Sequence, residues 1–275
     1  DTLPPLPMDP GDRNRTSPFA FTGNRFEFRA VGSTHSIAGA QVALNTMMAE
    51  SLDYVATELE KLGKVNKTQF NEGVQKLLQK IMKDHDAVIF NGDGYSEAWH
   101  KEAAKRGLPN LKTTPEALPV LTSKDVVALF TKYNVLSEAE LKSRQEIYLE
   151  QYVKTVATEA NLVIRMARTV IFPAAMRYQG QLAETCASLK TIGHDFKMAT
   201  LEDVTAKLRA MQAEVDKLEK LLAHEGGDTL THAKYMCEKV LPAMLAVRSN
   251  ADGLESVVAD DLWPLPSYQE MLFIR

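Results

Sequence analysis

Cysteine is scarce in this sequence: Cys186 and Cys237 are the only two in 275 residues, each set in helix-forming sequence. That excludes a disulfide framework and favours buried free thiols. Long apolar runs are missing as well. No stretch reaches the roughly 20 residues needed to cross a bilayer, and Asp1 to Pro10 lacks both the basic and the apolar part of a signal peptide. A surplus of charge of one sign is also absent. Lys and Arg are interspersed with Asp and Glu, for a net charge of -4, which leaves no electrostatic footprint for nucleic acid or for an acidic membrane. A cytoplasmic protein with no nucleic-acid or membrane partner is expected. The six histidines do not pair with other ligands at metal-binding spacing, and they read as solvated surface.

Hydrophobic residues make up 45% of the chain and charged residues 25%, enough for a packed core. The first residue is Asp1, on the proline-rich segment Pro4-Pro5-Leu6-Pro7-Met8-Asp9-Pro10, which resembles an internal linker, so a piece of a longer protein is expected. From Phe19 to Val31 the chain reads as extended, with Phe26, Phe28 and Ala30 alternating with Arg25, Glu27 and Arg29. A helix follows from Ile37 to about Leu62, stopped at Gly63. Further helices are expected at Gln69–Lys83, Ser96–Arg106 and Lys124–Lys132, with one more short strand at Ala87–Phe90. Asn91-Gly92-Asp93-Gly94 reads as a turn into a helix and not as a calcium loop, because Tyr95, Glu97 and Trp99 break the ligand pattern.

Beyond Ser137 the sequence is almost wholly helical, with Pro173 expected to kink or split the run that ends near Lys190. Thr200 with Asp203 resembles a capping box, and Leu201, Val204, Leu208, Met211, Val215, Leu218 and Leu222 then follow as a heptad seam. Gly226-Gly227 breaks it, and a second helix carries Leu230, Ala233, Cys237, Val240, Met244 and Val247, giving an antiparallel hairpin. The seam fits packing on its own neighbour, with subunit contact as the alternative. No internal repeat or low-complexity tract is evident.

The row Arg25, Glu27, Arg29 has two physical readings. Alternate residues on a strand share a face about 6.6 Å apart, so the three could simply pair on a solvated sheet, worth about 0–1 kcal/mol. They could instead hold a phosphorylated, metal-bound ligand, since carboxylate oxygens suit Mg²⁺ and the Arg fork suits oxyanions. One Glu cannot satisfy a cation that takes about six oxygens, so other ligands must come from elsewhere.

Arg13-Asn14-Arg15-Thr16-Ser17 followed by Asn24-Arg25-Phe26-Glu27-Phe28-Arg29 resembles the end of the glutamine synthetase catalytic domain. Thr16 to Gly23 and Val88-Ile89-Phe90-Asn91-Gly92-Asp93 resemble the type III class in particular. Thr114-Pro115-Glu116-Ala117-Leu118, Leu129-Phe130 and Val135-Leu136-Ser137-Glu138 are similar to the helical tail that closes that domain. The resemblance implies an ATP-dependent ligase that forms glutamine from glutamate and ammonia through γ-glutamyl phosphate, with Mg²⁺ or Mn²⁺ as cofactor and ATP as substrate. It implies Glu27 as a metal ligand, Arg15 and Arg25 as nucleotide-phosphate contacts, and Arg29 as the catalytic and substrate-binding contact to glutamate and the transferring phosphoryl group. It further implies a ring-forming homo-oligomer. Other classes carry an arginine five positions after the one matching Arg15, where this sequence has Ala20.

The expected fold is mainly α with a short N-terminal antiparallel strand region, α+β overall. Residues 1–150 would form the C-terminal part of the catalytic domain, and residues 151–275 a helical domain. With the family's other metal ligands upstream of the matching segment, the chain alone should be inactive. Two alternatives stand beside this reading: a helical oligomerisation or interaction module without catalysis, and a degenerate regulatory paralogue, which Ala20 would suit.

Overall fold

The computed structural model describes residues 19–21, 26–28, 35–194, 198–224, 226–266 and 268–272. They fall into two compact units, residues 1–112 with 122–141 and residues 113–121 with 142–275.

In the first unit, β1 (Phe19–Phe21) pairs antiparallel with β2 (Phe26–Phe28), Ala20 opposite Glu27. The expected α+β class is corrected here. Strand structure among the described residues is confined to these two three-residue segments, which form no wider sheet, and the described residues are mainly helical. The strand expected at Ala87–Phe90 is not formed: Asp86–Val88 is a tight 3-10 turn. Its carbonyls show why. Arg106 donates from Nη1 to the carbonyls of Ala87 (3.1 Å) and Ile89 (2.9 Å), occupying acceptors that a neighbouring strand would need. Phe90 stacks on Trp99 with centroids 4.4 Å apart, and the Arg106 guanidinium lies over the same indole at 5.5 Å.

Helix α1 (Ala38–Glu60) stops before Gly63, whose φ of +65° a side-chain-bearing residue rarely adopts. Helix α2 (Lys67–Asp84) opens with a reciprocal capping box between Asn66 and Gln69, which satisfies two otherwise unpaired backbone donors. At Asn91–Ser96 the expected turn is present. Asp93 Oδ1 accepts from the Tyr95 amide, and Ser96 caps α3 (Glu97–Lys105) by accepting from the Trp99 amide. Helix α5 (Lys124–Lys132) packs on α1.

The second unit contains α4 (Thr114–Ala117), most of α6 (Glu138–Met166), α7 (Phe172–Thr191), α8 (Ala199–Leu222), α9 (Thr229–Tyr235), α10 (Leu241–Glu255) and α11 (Tyr268–Leu272). Val204, Leu208, Met211, Val215 and Leu218 of the heptad seam are all buried, and α8 packs on α10 and α7 of its own chain. Intramolecular packing is thus where the seam goes. The helix starts at Ala199 after Met198 without a side-chain cap, so Thr200 is not the capping residue expected. Gly226 (φ +154°) and Gly227 (φ +86°) make the following turn, and a Cβ on Gly227 would meet Thr231 Cγ2 at 3.0 Å. Asp228 then caps α9, accepting from the Thr231 amide at 2.7 Å.

The long run divides just before Pro173, as expected, and it does so through a widened turn. Ala167–Ile171 widens into a π turn in which the Phe172 amide donates to the Ala167 carbonyl, five residues back, and α7 continues from there. The same device recurs at Met236–Val240, where the Leu241 amide donates to Met236 immediately before Pro242. Proline has no amide hydrogen and its ring clashes with the carbonyl four residues back; one wide turn absorbs both problems. The two sites also match in sequence and exposure: Ile171-Phe172-Pro173-Ala174 and Val240-Leu241-Pro242-Ala243 both run buried, half-buried, exposed, buried. This short repeat escaped the sequence reading because only the proline and the alanine after it are identical in the two segments.

No helix among the described residues is long and apolar enough to cross a membrane.

Candidate functional site

Of the residues expected to carry chemistry, Glu27 alone lies among the described ones. It is the central residue of β2, half-buried, and paired in register with Ala20. Arg15, Arg25 and Arg29 lie outside the described residues. Ala20, where the resemblance leads one to expect an arginine, stands directly across from Glu27.

A divalent cation demands several oxygen ligands. Among the described residues no group of three or more His, Cys, Asp or Glu side chains could hold one. The described residues therefore offer no complete site around Glu27. Both cysteines are free thiols and half-buried.

Two polar clusters were not anticipated. In the first unit, Glu50 and Asp53, one turn apart on α1, meet Lys132 and Tyr133 at the end of α5. Lys132 Nζ donates to Glu50 at 2.7 Å and reaches Asp53 at 3.1 Å; Tyr133 Oη stands 2.7 Å from Glu50 and 2.8 Å from Asp53. The hydrogen bond from Lys132, seconded by that from Tyr133, holds the Glu50 carboxyl below its ordinary range, whereas for Asp53 the Tyr133 hydroxyl is the larger cause. Lys132 is pushed up in turn, chiefly by Glu50. All four groups are solvent-accessible, so the arrangement acts as a clasp between α1 and α5. The i, i+3 spacing of Glu50 and Asp53 was the only signal in the sequence, and their partners lie some 80 residues away.

In the second unit, Arg168 of the first π turn binds two acids on α8. Its Nη2 donates to Glu219 at 2.7 Å and to Asp216 at 3.2 Å, and its Nη1 donates to Glu219 as well. These bonds push the guanidinium further from deprotonation, with Glu219 the leading cause. Beside them a cavity of about 130 Å³ is lined by Ala167, Arg168, Phe172, Met211, Gln212, Val215 and Asp216.

The chain matches the glutamine synthetase C-terminal domain family over residues 73–190. It is 40% identical over 285 residues to the type-3 glutamine synthetase of Dictyostelium discoideum, an alignment covering 99% of this chain and 38% of that protein. It is 34% identical over 283 residues to a glutamine synthetase of Bacteroides fragilis, covering 99% of this chain and 39% of that one. Against a glutamine synthetase of Butyrivibrio fibrisolvens the identity is 35% over 271 residues, with 96% and 38% covered. The chain thus spans less than two fifths of the length of the relatives it matches.

Proposed function

We infer, with the likeness to type III glutamine synthetase as premise, that this chain is the C-terminal part of such an enzyme, and that the whole protein is an ATP-dependent ligase forming glutamine from glutamate and ammonia. The observation that carries the reading is similarity to a type-3 glutamine synthetase running over 99% of the chain, and so through the segment that holds Glu27.

In this reading residues 1–150 close the catalytic domain and residues 151–275 form a helical domain added to it. Phosphoryl transfer depends on positioning and on neutralising charge more than on covalent help from the protein. Glu27 contributes one carboxylate to a Mg²⁺ or Mn²⁺ site whose remaining ligands lie in the part of the enzyme this chain does not span. The cation's role is to neutralise charge on the nucleotide phosphates. Arg15 and Arg25 contact those phosphates, because a guanidinium stays charged at any working pH and donates two parallel hydrogen bonds to an oxyanion. Arg29 holds the glutamate side chain and the phosphoryl group moving onto it. A ring-forming homo-oligomer and a cytoplasmic location complete the proposal.

The test is Glu27→Ala in the full-length protein, assayed for glutamine formation across a range of metal concentrations. Turnover is expected to fall on the order of a hundredfold or more, since metal charge stabilisation is worth several kcal/mol, with the helical thermal transition unchanged. Wild-type turnover at every metal concentration would remove Glu27 from the site and favour a helical interaction module.

A further inference from the structure

We infer that the cavity beside the first π turn is a binding site for a small organic ammonium ion, a primary amine on a short apolar body. This goes beyond the ligase reading and does not rest on it.

The cavity's deeper wall is apolar: Ala167, Met211 and Val215 are at most 3% exposed, and Phe172 packs against the same core. Its volume of about 130 Å³ sets the size of the guest. An apolar protein cavity of about 150 Å³ accepts benzene, so a body of that order or slightly smaller fits. The polar members are Arg168, Gln212 and Asp216.

Charge selects the head group. Two carboxylates, Asp216 and Glu219, face one guanidinium, so the trio carries one net negative charge. The guanidinium is shared unequally: Glu219 takes a bond from each Arg168 terminal nitrogen, while Asp216 takes a single long one at 3.2 Å. Asp216, the acid that lines the cavity, therefore keeps acceptor capacity for a cation.

The π turn takes the usual backbone donor away from the Arg168 carbonyl. In an α-helix the Arg168 carbonyl would receive the Phe172 amide, but that amide donates to Ala167 instead. The next residue is Pro173, which has no amide hydrogen to give. Both the fourth and the fifth residue after Arg168 thus fail as donors to its carbonyl, and Arg168 lines the cavity. Phe172 adds an aromatic side chain to the lining. An anionic guest would compete with two acids that already hold Arg168.

The recurrence of the π turn separates the packing role of this device from binding. Both turns have buried ends, but at Met236–Val240 the equivalent of Arg168 is Cys237. In the first copy the turn's second residue is a charged one that lines a cavity, where the second copy has a thiol.

The test is methyl-¹³C-methionine NMR on the full 275-residue chain titrated with isobutylamine, with the Met211 resonance assigned through Met211→Leu. A saturable Met211 shift is expected, with isobutanol giving none. Asp216→Asn should weaken amine binding by about tenfold, the size of a lost charge-assisted hydrogen bond, while the other methionine resonances stay in place. Arg168→Gln leaves both carboxylates uncompensated and should tighten amine binding several-fold, which keeps the test decisive should Asp216→Asn misfold. Equal shifts with isobutanol would make the cavity a mere apolar hole, and stronger binding of isovalerate would make it an anion site. Either result overturns the inference, as does the absence of saturation or amine affinity indifferent to both substitutions.

Discussion

Tyr133 has one hydroxyl proton and two carboxylates within hydrogen-bonding distance, so it can donate fully to only one of them at a time; Lys132 supplies the remaining donors. This division makes the two acids separable by mutation. Tyr133→Phe should raise the Asp53 titration more than that of Glu50, because the hydroxyl is the leading cause of the depression at Asp53 and the ammonium at Glu50. Lys132→Met should do the reverse. Side-chain carboxyl ¹³C shifts followed against pH read both, and equal movement in the two variants would refute the assignment. The sign of the pH dependence follows from the same shifts. Carboxyls depressed in the folded state stabilise it above the ordinary carboxylate range near pH 4 and lose that contribution as pH falls further. Lys132 is raised, so its contribution is complete below the ordinary lysine range near pH 10.4 and is lost as pH rises beyond it. The clasp of α5 on α1 is therefore expected to hold between those limits and to loosen outside them. Amide exchange in α5 is the measurement, and exchange rates corrected for intrinsic pH effects that stay flat below pH 4 would count against it.

At the scale of the element, α8 is the clearest case of sequence dictating structure. Steps of three and four residues place Val204, Leu208, Met211, Val215 and Leu218 on one stripe, and all five are buried. Leu218 is fully buried, so Leu218→Ala should cost about 2–5 kcal/mol through lost burial and the cavity left behind. Leu245, 65% exposed on α10, should change stability by less than about 0.5 kcal/mol when replaced by alanine. Urea midpoints of the two variants test the contrast, and comparable losses would mean that the stripe is misassigned. Helix ends were legible for the same local reason. Lys124–Lys132 was read as it stands, and the α2 boundary differs by two residues at its start and one at its end. What the sequence hid was non-local. The extended reading of Ala87–Phe90 failed because Arg106, some 17 residues on, claims the backbone carbonyls. The break at Pro173 was legible but its form was not: the proline's missing donor is absorbed by widening one turn, and Ala167, Ile171 and Ala174 are all buried, which fits a helix that keeps its inner face through the turn.

For the whole molecule the distribution of chemistry matters more than its fold. The helical core is well supplied by this chain, from Val156 on α6 to Val258 beyond α10. The catalytic side is sparse. In the proposed site Glu27 supplies one carboxylate where a divalent cation needs several oxygens, and among the described residues no group of three or more His, Cys, Asp or Glu offers them. The family resemblance was legible because Arg25, Glu27 and Arg29 sit in a local word of six residues; the remaining ligands of the proposed site were not, because groups outside a segment spanning less than two fifths of the relatives' length leave no trace in it. The consequence is separable from folding. Given ATP, Mg²⁺, glutamate and ammonia, the 275-residue chain alone should form no measurable glutamine while showing a cooperative helical unfolding transition. Adding the complementary N-terminal portion of such an enzyme should restore turnover only if Glu27 is intact, since the added portion would bring the missing ligands but not this one. Turnover by the chain alone would mean that its own residues complete the metal site. Restored turnover with Glu27→Ala would mean that the site is complete without the β2 carboxylate.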